Sequence, residues 1–426
     1  MEKQPRSRAH IITQLPYVIM LMVNLCFIAF AFCLDSPANI FDGLMRILTS
    51  RAALVTDFIA IGGVSATLLN VAMVGLLGIL LLVLSRMKPN GAIIMALWVT
   101  AGFAFFGKNI FNMLPLTFGV WLFAKYKREP FANYTLASLL VATLSPVVSE
   151  ISFLGVFSLP VEIASGILLG FVIGFIFPPI SAAMVRVHSG YDLYSMGFAG
   201  GLIATILATT ASSFGFDIVE MNTWSSGNNL VMAAILYTIS ATLFCCGVIA
   251  GDSRENLRNF RKFFTHTGRL ITDFYFLYRN SIYINMGILC AFATTVTLLI
   301  GAELNGIAVA GIFTITGFGS FGKHMKNVPP IIIGALISAF LNRWDFTSPA
   351  NIAAILFSTA LAPLAGQFGW IWGMVAGFFH VSVAMHVGYL CGGMNLYNNG
   401  FAAGLIAMFL LPLITLSERM RKSHDD

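Results

Sequence analysis

The sequence contains one pattern twice. Residues 106–119, FGKNIFNMLPLTFG, return at 321–334 as FGKHMKNVPPIIIG in a chain of 426 residues. Three more landmarks repeat in the same order: LVTDF at 54–58 and LITDF at 270–274, Pro146 and Pro363, and LYSMGFAGGLIA at 193–204 and LYNNGFAAGLIA at 396–407. Four ordered matches at near-constant offsets of 216, 215, 217 and 203 residues indicate an internal duplication. The fold must therefore be built from two copies of one unit, which we place at residues 1–215 and 216–426.

The composition excludes a water-soluble protein. Hydrophobic residues make up 58% of the chain and charged residues only 10%, which a water-exposed surface could not carry. Apolar runs recur from end to end, and many approach the roughly 20 residues that a helix needs to cross a hydrocarbon core of about 30 Å. The sequence predicts an all-α integral membrane protein with several passes.

Seven helical elements are predicted in each unit. Those of the first unit lie near 11–34, 54–84, 91–106, 110–124, 131–155, 160–183 and 193–213. Those of the second lie near 229–250, 274–300, 305–320, 327–342, 350–365, 367–390 and 396–416. Asp57 and Asp273 occupy equivalent places in the TDF motif, where we expect them to cap helices.

The basic residues define a topology. With the N-terminus in the cytoplasm, all of the 24 Lys and Arg residues except Arg46, Arg51, Lys108 and Arg343 fall on the cytoplasmic side, as does the C-terminus. An odd number of crossings per unit then inverts the second copy relative to the first, as in many secondary transporters. The short elements at 91–106 and 110–124 are predicted as full spans or as a re-entrant hairpin, and the inversion survives either choice.

The first repeated motif predicts two broken helices. Polar residues at each break could bind a solute, namely Lys108, Asn109 and Asn112 in the first unit and Lys323, His324 and Asn327 in the second. A break inside a membrane must face protein or water. Helix N-termini, amides and two ammonium groups would together suit an anion such as a carboxylate or phosphate. The alternative is that both lysines are loop residues that extend to a membrane surface.

The second repeated motif places polar residues just before a helix rich in small residues. Tyr194, Tyr397, Asn398 and Asn399 are candidates for lining the solute pathway, and helix capping explains them equally well. The glycines that follow would allow close helix packing, which is compatible with a homodimer.

Ionisable residues within apolar runs are candidates for proton coupling. They are His188, His380, His386 and Glu150, although a carboxylate at the membrane interface is the safer interpretation of Glu150. His380 and His386 are six residues apart and do not share a helix face, so we predict no metal site and no cofactor. Residues 251–280 form a basic cytoplasmic linker that we expect to lie on anionic lipid, with no role in binding nucleic acid.

Both repeated motifs resemble a duplicated bacterial membrane family known as domain of unknown function 1576. The likeness covers the whole chain and implies a location in the bacterial cytoplasmic membrane without implying a substrate. A fainter likeness joins LYNNGFAAGLIA and LPLTFGVWLF to motifs of urea channels. We expect a permease that moves a small polar or anionic solute by alternating access, passively or driven by protons or sodium. The alternatives are a channel for a neutral solute such as urea, a non-transporting scaffold and, least favoured, an intramembrane enzyme.

Overall fold

The chain forms helices joined by short loops. The computed structural model describes residues 6–52, 56–216, 223–269 and 272–425, and within these ranges it contains no β-strand. Leu54, Val55, Leu270 and Ile271, which begin the LVTDF and LITDF repeats, lie outside the described residues. The prediction of an all-α protein is confirmed.

The helices follow the predicted order in both halves. The first half contains α1 Arg6–Leu34, α2 Pro37–Leu48, α3 Phe58–Leu84, α4 Gly91–Phe103, α5 Ile110–Lys127, α6 Thr135–Leu140, α7 Ser145–Ser152, α8 Leu159–Val187 and α9 Ser195–Ser213. The second contains α10 Asn229–Ile249, α11 Ser253–Lys262, α12 Phe274–Tyr278, α13 Ile282–Leu299, α14 Gly306–Phe318, α15 Val328–Leu341, α16 Pro349–Phe357, α17 Ala362–Phe368, α18 Trp370–Leu390 and α19 Asn398–Asp425.

Two of the predicted helices are interrupted. The elements expected at 131–155 and 350–365 each contain a 3₁₀ turn, at Val141–Leu144 and Ser358–Leu361. The helix that follows each turn has a proline in its first turn, Pro146 in α7 and Pro363 in α17. Proline cannot donate a backbone hydrogen bond to the preceding turn, so it favours a helix start at this place. Both segments are apolar on average, so hydropathy alone did not reveal the interruption.

Two short amphipathic helices lie outside the predicted spans. In α2, Ile40, Leu44 and Ile47 are buried against α3, while Phe41 and Met45 are exposed. Its equivalent in the second half is α11, within the predicted linker. The basic residues of α11 are exposed: Arg254, Arg258, Arg261 and Lys262. Alternating exposure along each helix fits an element that lies on the surface of the helical core.

Ten segments of the described chain are long and apolar enough to cross a membrane, five in each half. The helices α4 and α14 are not among them, because each has 13 residues and is therefore only about 20 Å long. This length favours the hairpin arrangement, in which α4 with α5 and α14 with α15 enter and leave on one side. Five spans per half is an odd number, so the two halves run through the membrane in opposite directions.

The helices α9 and α19 cross at equivalent residues. A Cβ built on Gly197 would lie 3.2 Å from the Cα of Gly400, and one on Gly400 would lie 3.0 Å from the Cα of Gly197. The next residues, Phe198 and Phe401, stack with ring centroids 5.7 Å apart. Each residue here contacts its own equivalent, which places a pseudo-two-fold axis between the helices.

The helices α4 and α14 cross on the same axis. Gly102 of α4 packs against Phe313 of α14, while the equivalent Gly317 of α14 packs against Trp98 of α4. Trp98 and Phe313 are themselves equivalent, and their ring centroids lie 5.3 Å apart. The axis therefore passes through the packed centre of the molecule.

The two aspartates of the TDF motif join the halves. Asp57 caps α3 and Asp273 caps α12, as expected. The second carboxylate oxygen of Asp57 accepts the backbone N–H of Ser225 at 2.9 Å, and that of Asp273 accepts the backbone N–H of Gly91 at 2.9 Å. Each aspartate thus begins a helix in one half and is bonded to the backbone of the other.

The last glycine of the first repeated motif permits close helix packing. Gly119 of α5 faces the backbone of α8, and Gly334 of α15 faces the backbone of α18. A Cβ at either position would fall inside 3.0 Å of a carbonyl oxygen, that of Phe171 or that of Met374. Only glycine allows these backbones to approach so closely.

Candidate functional site

The break between α4 and α5 is closed by its own asparagines. Gly107 has a φ of +73°, which favours glycine. Asn109 caps α5 by accepting the N–H of Asn112 at 3.0 Å, and Asn112 accepts the N–H of Asn109 at 2.9 Å. The amide of Asn112 also donates to the carbonyl of Gly107 and to the hydroxyl of Ser149, each at 3.0 Å. The polar atoms of Asn112 therefore hold the break together.

The break between α14 and α15 repeats this arrangement. Gly322 has a φ of +96°. Asn327 accepts the N–H of His324 at 2.9 Å and donates to the carbonyl of Gly322 at 2.9 Å. The ring of His324 accepts the N–H of Lys326 at Nδ1 and donates from Nε2 to the carbonyl of His266. Its side chain is thereby fixed in one tautomer against the loop before α12.

A pair of asparagines that the sequence analysis missed supports both breaks. Asn70 of α3 donates to the carbonyls of Ala104 and Lys108 at 2.8 and 3.0 Å. Asn285 of α13 donates to the carbonyls of Gly319 and Lys323 at 2.8 and 2.7 Å. These carbonyls have lost their helical partners at the breaks, and buried carbonyls require a donor. Both asparagines occur at the same offset of 215 residues as the motif, a signal that could have identified them.

Lys108 is fully buried, with 0% of its surface exposed. Its ammonium donates to the hydroxyl of Tyr397 at 2.9 Å and lies 5.2 Å from the centroid of that ring and 5.9 Å from that of Phe103. Tyr397 belongs to the second half of the chain. The first motif of one half therefore contacts the second motif of the other.

Lys323 has the equivalent environment. It is also 0% exposed, and its ammonium donates to the hydroxyl of Tyr194 and, at 2.7 Å, to that of Thr359. Its distance is 4.4 Å from the ring centroid of Tyr194 and 5.0 Å from that of Phe318. The alternative that both lysines extend to a membrane surface is wrong, because neither side chain reaches any surface.

A first cavity of about 110 Å³ lies on the pseudo-two-fold axis. Equivalent residues of both halves line it: Phe103 and Phe318, Leu193 and Leu396, Tyr194 and Tyr397, and Gly197 and Gly400. The rings that contact the two ammonium groups are thus also the walls of the cavity. Each lysine lies one aromatic ring behind the wall.

A second cavity of about 310 Å³ adjoins the first, and both are lined by Phe357, Leu396 and Asn399. Part of its remaining wall is equivalent to part of the wall of the first cavity. Ile307, Ala353, Gly388 and Asn398 of the second cavity stand at the positions equivalent to Ala92, Leu136, Val185 and Ser195 of the first. Part of each cavity wall is therefore equivalent across the pseudo-two-fold axis, and the cavities differ in volume.

The predicted binding residues occupy two layers. Tyr194, Tyr397 and Asn399 line the first cavity, and Asn398 and Asn399 line the second. The six residues at the breaks lie behind these walls and line neither cavity: Lys108, Asn109, Asn112, Lys323, His324 and Asn327. The inner layer can touch a solute directly, and the outer layer supplies charge and supports the breaks.

Two of the histidines proposed for proton coupling adjoin cavity walls. His188 accepts the backbone N–H of Asp192 at Nδ1, so its neutral ring carries the proton on Nε2 and donates it to Ser195 at 2.9 Å. His380 is buried in α18, and its Nε2 lies 3.1 Å from the side-chain oxygen of Asn399. Ser195 and Asn399 both line the first cavity.

The other two candidates lie elsewhere. His386 bonds to the carbonyl of Ser382, one turn earlier in α18, at 2.7 Å. Glu150 of α7 is buried and accepts both Nε and Nη2 of Arg51 at 3.1 and 2.8 Å. This ion pair fastens the loop after α2 to α7. In the part of the chain that the structure describes, no group of three or more His, Cys, Asp or Glu residues is placed to hold a metal ion.

Comparison with known proteins identifies one family. The model described as "Protein of unknown function (DUF1576)" matches the chain twice, at residues 36–213 and 252–416. The two matches cover the two halves of the internal duplication. No curated protein and no solved structure matches the chain significantly.

Proposed function

Because the chain belongs to the DUF1576 family, whose description states no function, we propose from its site that it is a membrane permease for a small anionic solute. The observation that carries the proposal is the burial of Lys108 and Lys323. Neither ammonium lies within 4.0 Å of a carboxylate of the described residues. Burying a charge without a partner costs several kcal/mol. A transported anion would offset this cost.

The contacts of the lysines are compatible with reversible binding of a solute. An ammonium has three donors, and that of Lys108 donates to one hydroxyl, that of Tyr397. Rotation of this tyrosine away from the lysine would open a path from the first cavity to the charge. In this proposal the side chain of Tyr397 controls access from the cavity to Lys108, and Tyr194 controls access to Lys323 in the same way.

The pair of cavities supports alternating access. In the predicted topology the first cavity extends toward the cytoplasm, through Ala92 and Val185 near helix ends. The second extends toward the outside, through Ile307 and Gly388. Their volumes, about 110 and 310 Å³, describe one state in which the outer cavity is the larger. Exchange of conformation between two inverted halves would reverse the difference. A scaffold would have no need of two such cavities.

The test combines ligand stabilisation with matched variants. The purified protein is heated with acetate, lactate, succinate, phosphate, glycine or urea, beside Lys108→Met and Lys323→Met. An anion present at 100 times its Kd should raise the stability of the unmodified protein by about 2.7 kcal/mol. Each variant should lose about 2 kcal/mol or more of anion binding, roughly 30-fold in affinity. The control is Lys326→Met, which removes an exposed lysine three residues from Lys323. Equal anion stabilisation of all four proteins would overturn the proposal.

A channel for a neutral solute is the second candidate, and the walls of the first cavity favour it. They are largely aromatic and aliphatic, with Phe103, Phe318 and Phe357 among them. Such a slot could pass a small uncharged molecule while the lysines support the helix breaks. In that case urea flux into proteoliposomes would be unchanged by either lysine substitution, and no anion would stabilise the protein.

The hydrogen bonds at the cavity count against an enzyme. Ser195 and His188 form a serine–histidine pair there, with Oγ and Nε2 2.9 Å apart. A histidine base must present a lone pair to the serine hydroxyl. Here Nδ1 accepts the N–H of Asp192, so Nε2 carries the proton and donates it to the serine. This tautomer cannot take the serine proton.

A further inference from the structure

The two lysine sites differ at one acidic position. In the second repeated motif, Asp192 of the first half is equivalent to Asn395 of the second. Both side chains are fully buried, just before α9 and α19. Two sites that share the lysine, the tyrosine and the helix break therefore differ by one ionisable carboxyl group.

Both polar side-chain atoms of Asn395 are hydrogen-bonded. Its side-chain oxygen accepts the hydroxyl of Thr143 at 2.5 Å and the N–H of Tyr397 at 3.2 Å. Its amide nitrogen donates to the carbonyl of Gly197 at 3.1 Å. The neutral amide of Asn395 thus links the second half to Thr143 and Gly197 of the first half.

Only one of the two carboxylate oxygens of Asp192 is hydrogen-bonded. One carboxylate oxygen accepts the N–H of Tyr194 at 2.8 Å, and the other, Oδ2, is buried without a hydrogen-bond partner. The ammonium of Lys323 is more than 4.0 Å away but still interacts with the carboxylate electrostatically. A buried carboxylate oxygen without a donor is costly, and protonation removes the charge that makes it so.

The other ionisable groups around Asp192 do not replace Lys323 as a counter-charge. His188 lies on the preceding turn and is neutral in the tautomer that its bonds require. The hydroxyl of Tyr194 faces Lys323 and Thr359. Arg269, on the loop before α12, donates its Nε to the carbonyl of the residue after His188.

We propose that Asp192 is the proton-binding site of a proton-coupled permease, an inference that rests on the anion transport proposed above. With Asp192 ionised and both lysines protonated, as an anion bound beside them would favour, the three groups carry a net charge of +1, and uptake of one proton from the aqueous phase raises it to +2. A bound anion therefore favours protonation of Asp192, and protonation favours the anion by the same factor. Proton and anion move together.

The decisive variant is Asp192→Asn, which gives the first half the residue of the second. Proteoliposomes are assayed with labelled lactate, succinate and inorganic phosphate, first by counterflow at equal pH and then under an inward proton gradient. One-to-one coupling accumulates solute about tenfold for each pH unit. Asp192→Asn should retain counterflow and lose this accumulation. Asp42→Asn, at an exposed carboxylate, is the control and should keep both.

Each outcome distinguishes the two proposals. Accumulation by Asp192→Asn equal to that of the unmodified protein would overturn the proton site and leave transport intact. Absence of counterflow in the unmodified protein would overturn transport itself, and this inference with it. Infrared difference spectra of the purified protein across a pH titration supply an independent measurement. One C=O band of a buried carboxyl group, present in the unmodified protein and in Asp42→Asn, should be missing in Asp192→Asn, and an unchanged set of bands in that variant would contradict the proposal.

Discussion

Replacing Asn285 by alanine is expected to destabilise the protein by about 2–6 kcal/mol, since two buried carbonyls would each lose a donor worth about 1–3 kcal/mol. The carbonyls are those of Gly319 and Lys323, at the break between α14 and α15. Lipid cannot donate a hydrogen bond to these carbonyls, so the side chain of Asn285 supplies the donors that the interrupted helix does not. Asn70→Ala should have the same effect at the equivalent break.

Thermal unfolding of the purified protein measures the effect. Asn133→Ala is a suitable control, because Asn133 is exposed in the 3₁₀ turn Phe131–Tyr134 before α6 and its amide donates to the exposed side chain of Glu129. Its unfolding temperature should stay near that of the unmodified protein. If Asn285→Ala unfolded at the same temperature as the control, the role of Asn285 at the break would be refuted. Because the carbonyl of Lys323 is one of the two, the variant should also lose anion stabilisation.

Gly334→Ala is expected to be the most damaging single-methyl change in the packing of the helices. The new Cβ would fall inside 3.0 Å of the carbonyl oxygen of Met374, and backbone atoms cannot move aside as a flexible side chain can. Separation of α15 from α18 should cost about 1–3 kcal/mol or more. Yield of monodisperse protein and its unfolding temperature should both fall.

The matched control is Gly388→Ala, in α18 itself. A Cβ at Gly388 would meet only the amide nitrogen of Asn398, at 3.4 Å, which is an ordinary contact distance. The same methyl group should therefore be tolerated there, and alanine favours a helix over glycine by about 1 kcal/mol. Equal stability of the two variants would show that α15 and α18 can separate without cost.

The repeat predicted much of the fold, because residues that recur at a fixed offset can be identified from the sequence without knowing which residues are in contact. It located both helix breaks, both capping aspartates and the buried lysines. It could not show that Lys108 meets Tyr397 and Lys323 meets Tyr194, because the offset relates equivalent residues and carries no information about which residues touch across the axis. The 3₁₀ turns were also hidden, since an apolar segment looks alike whether or not its helix is interrupted.

Asp192 was overlooked for a different reason. Asp192 stands in a short polar motif between two apolar runs, and such a pattern is typical of an exposed loop. The structure buries that motif between the halves, where Leu193 donates its N–H to the carbonyl of Ala360. Burial in the folded molecule, rather than local hydropathy, determines the free-energy cost of an ionised carboxylate.

The exchange of side chains between halves has an evolutionary consequence. Each lysine donates a hydrogen bond to a tyrosine of the other half, so one half alone cannot form a complete lysine–tyrosine site. Two separate identical chains, inserted in opposite orientations, could complete both sites, but they would have to carry the same residue at position 192 and at its equivalent. A single fused chain removes that constraint. Fusion permits a carboxylate on one side of the axis and an amide on the other, so that the two halves of a pseudo-symmetric molecule can differ in charge.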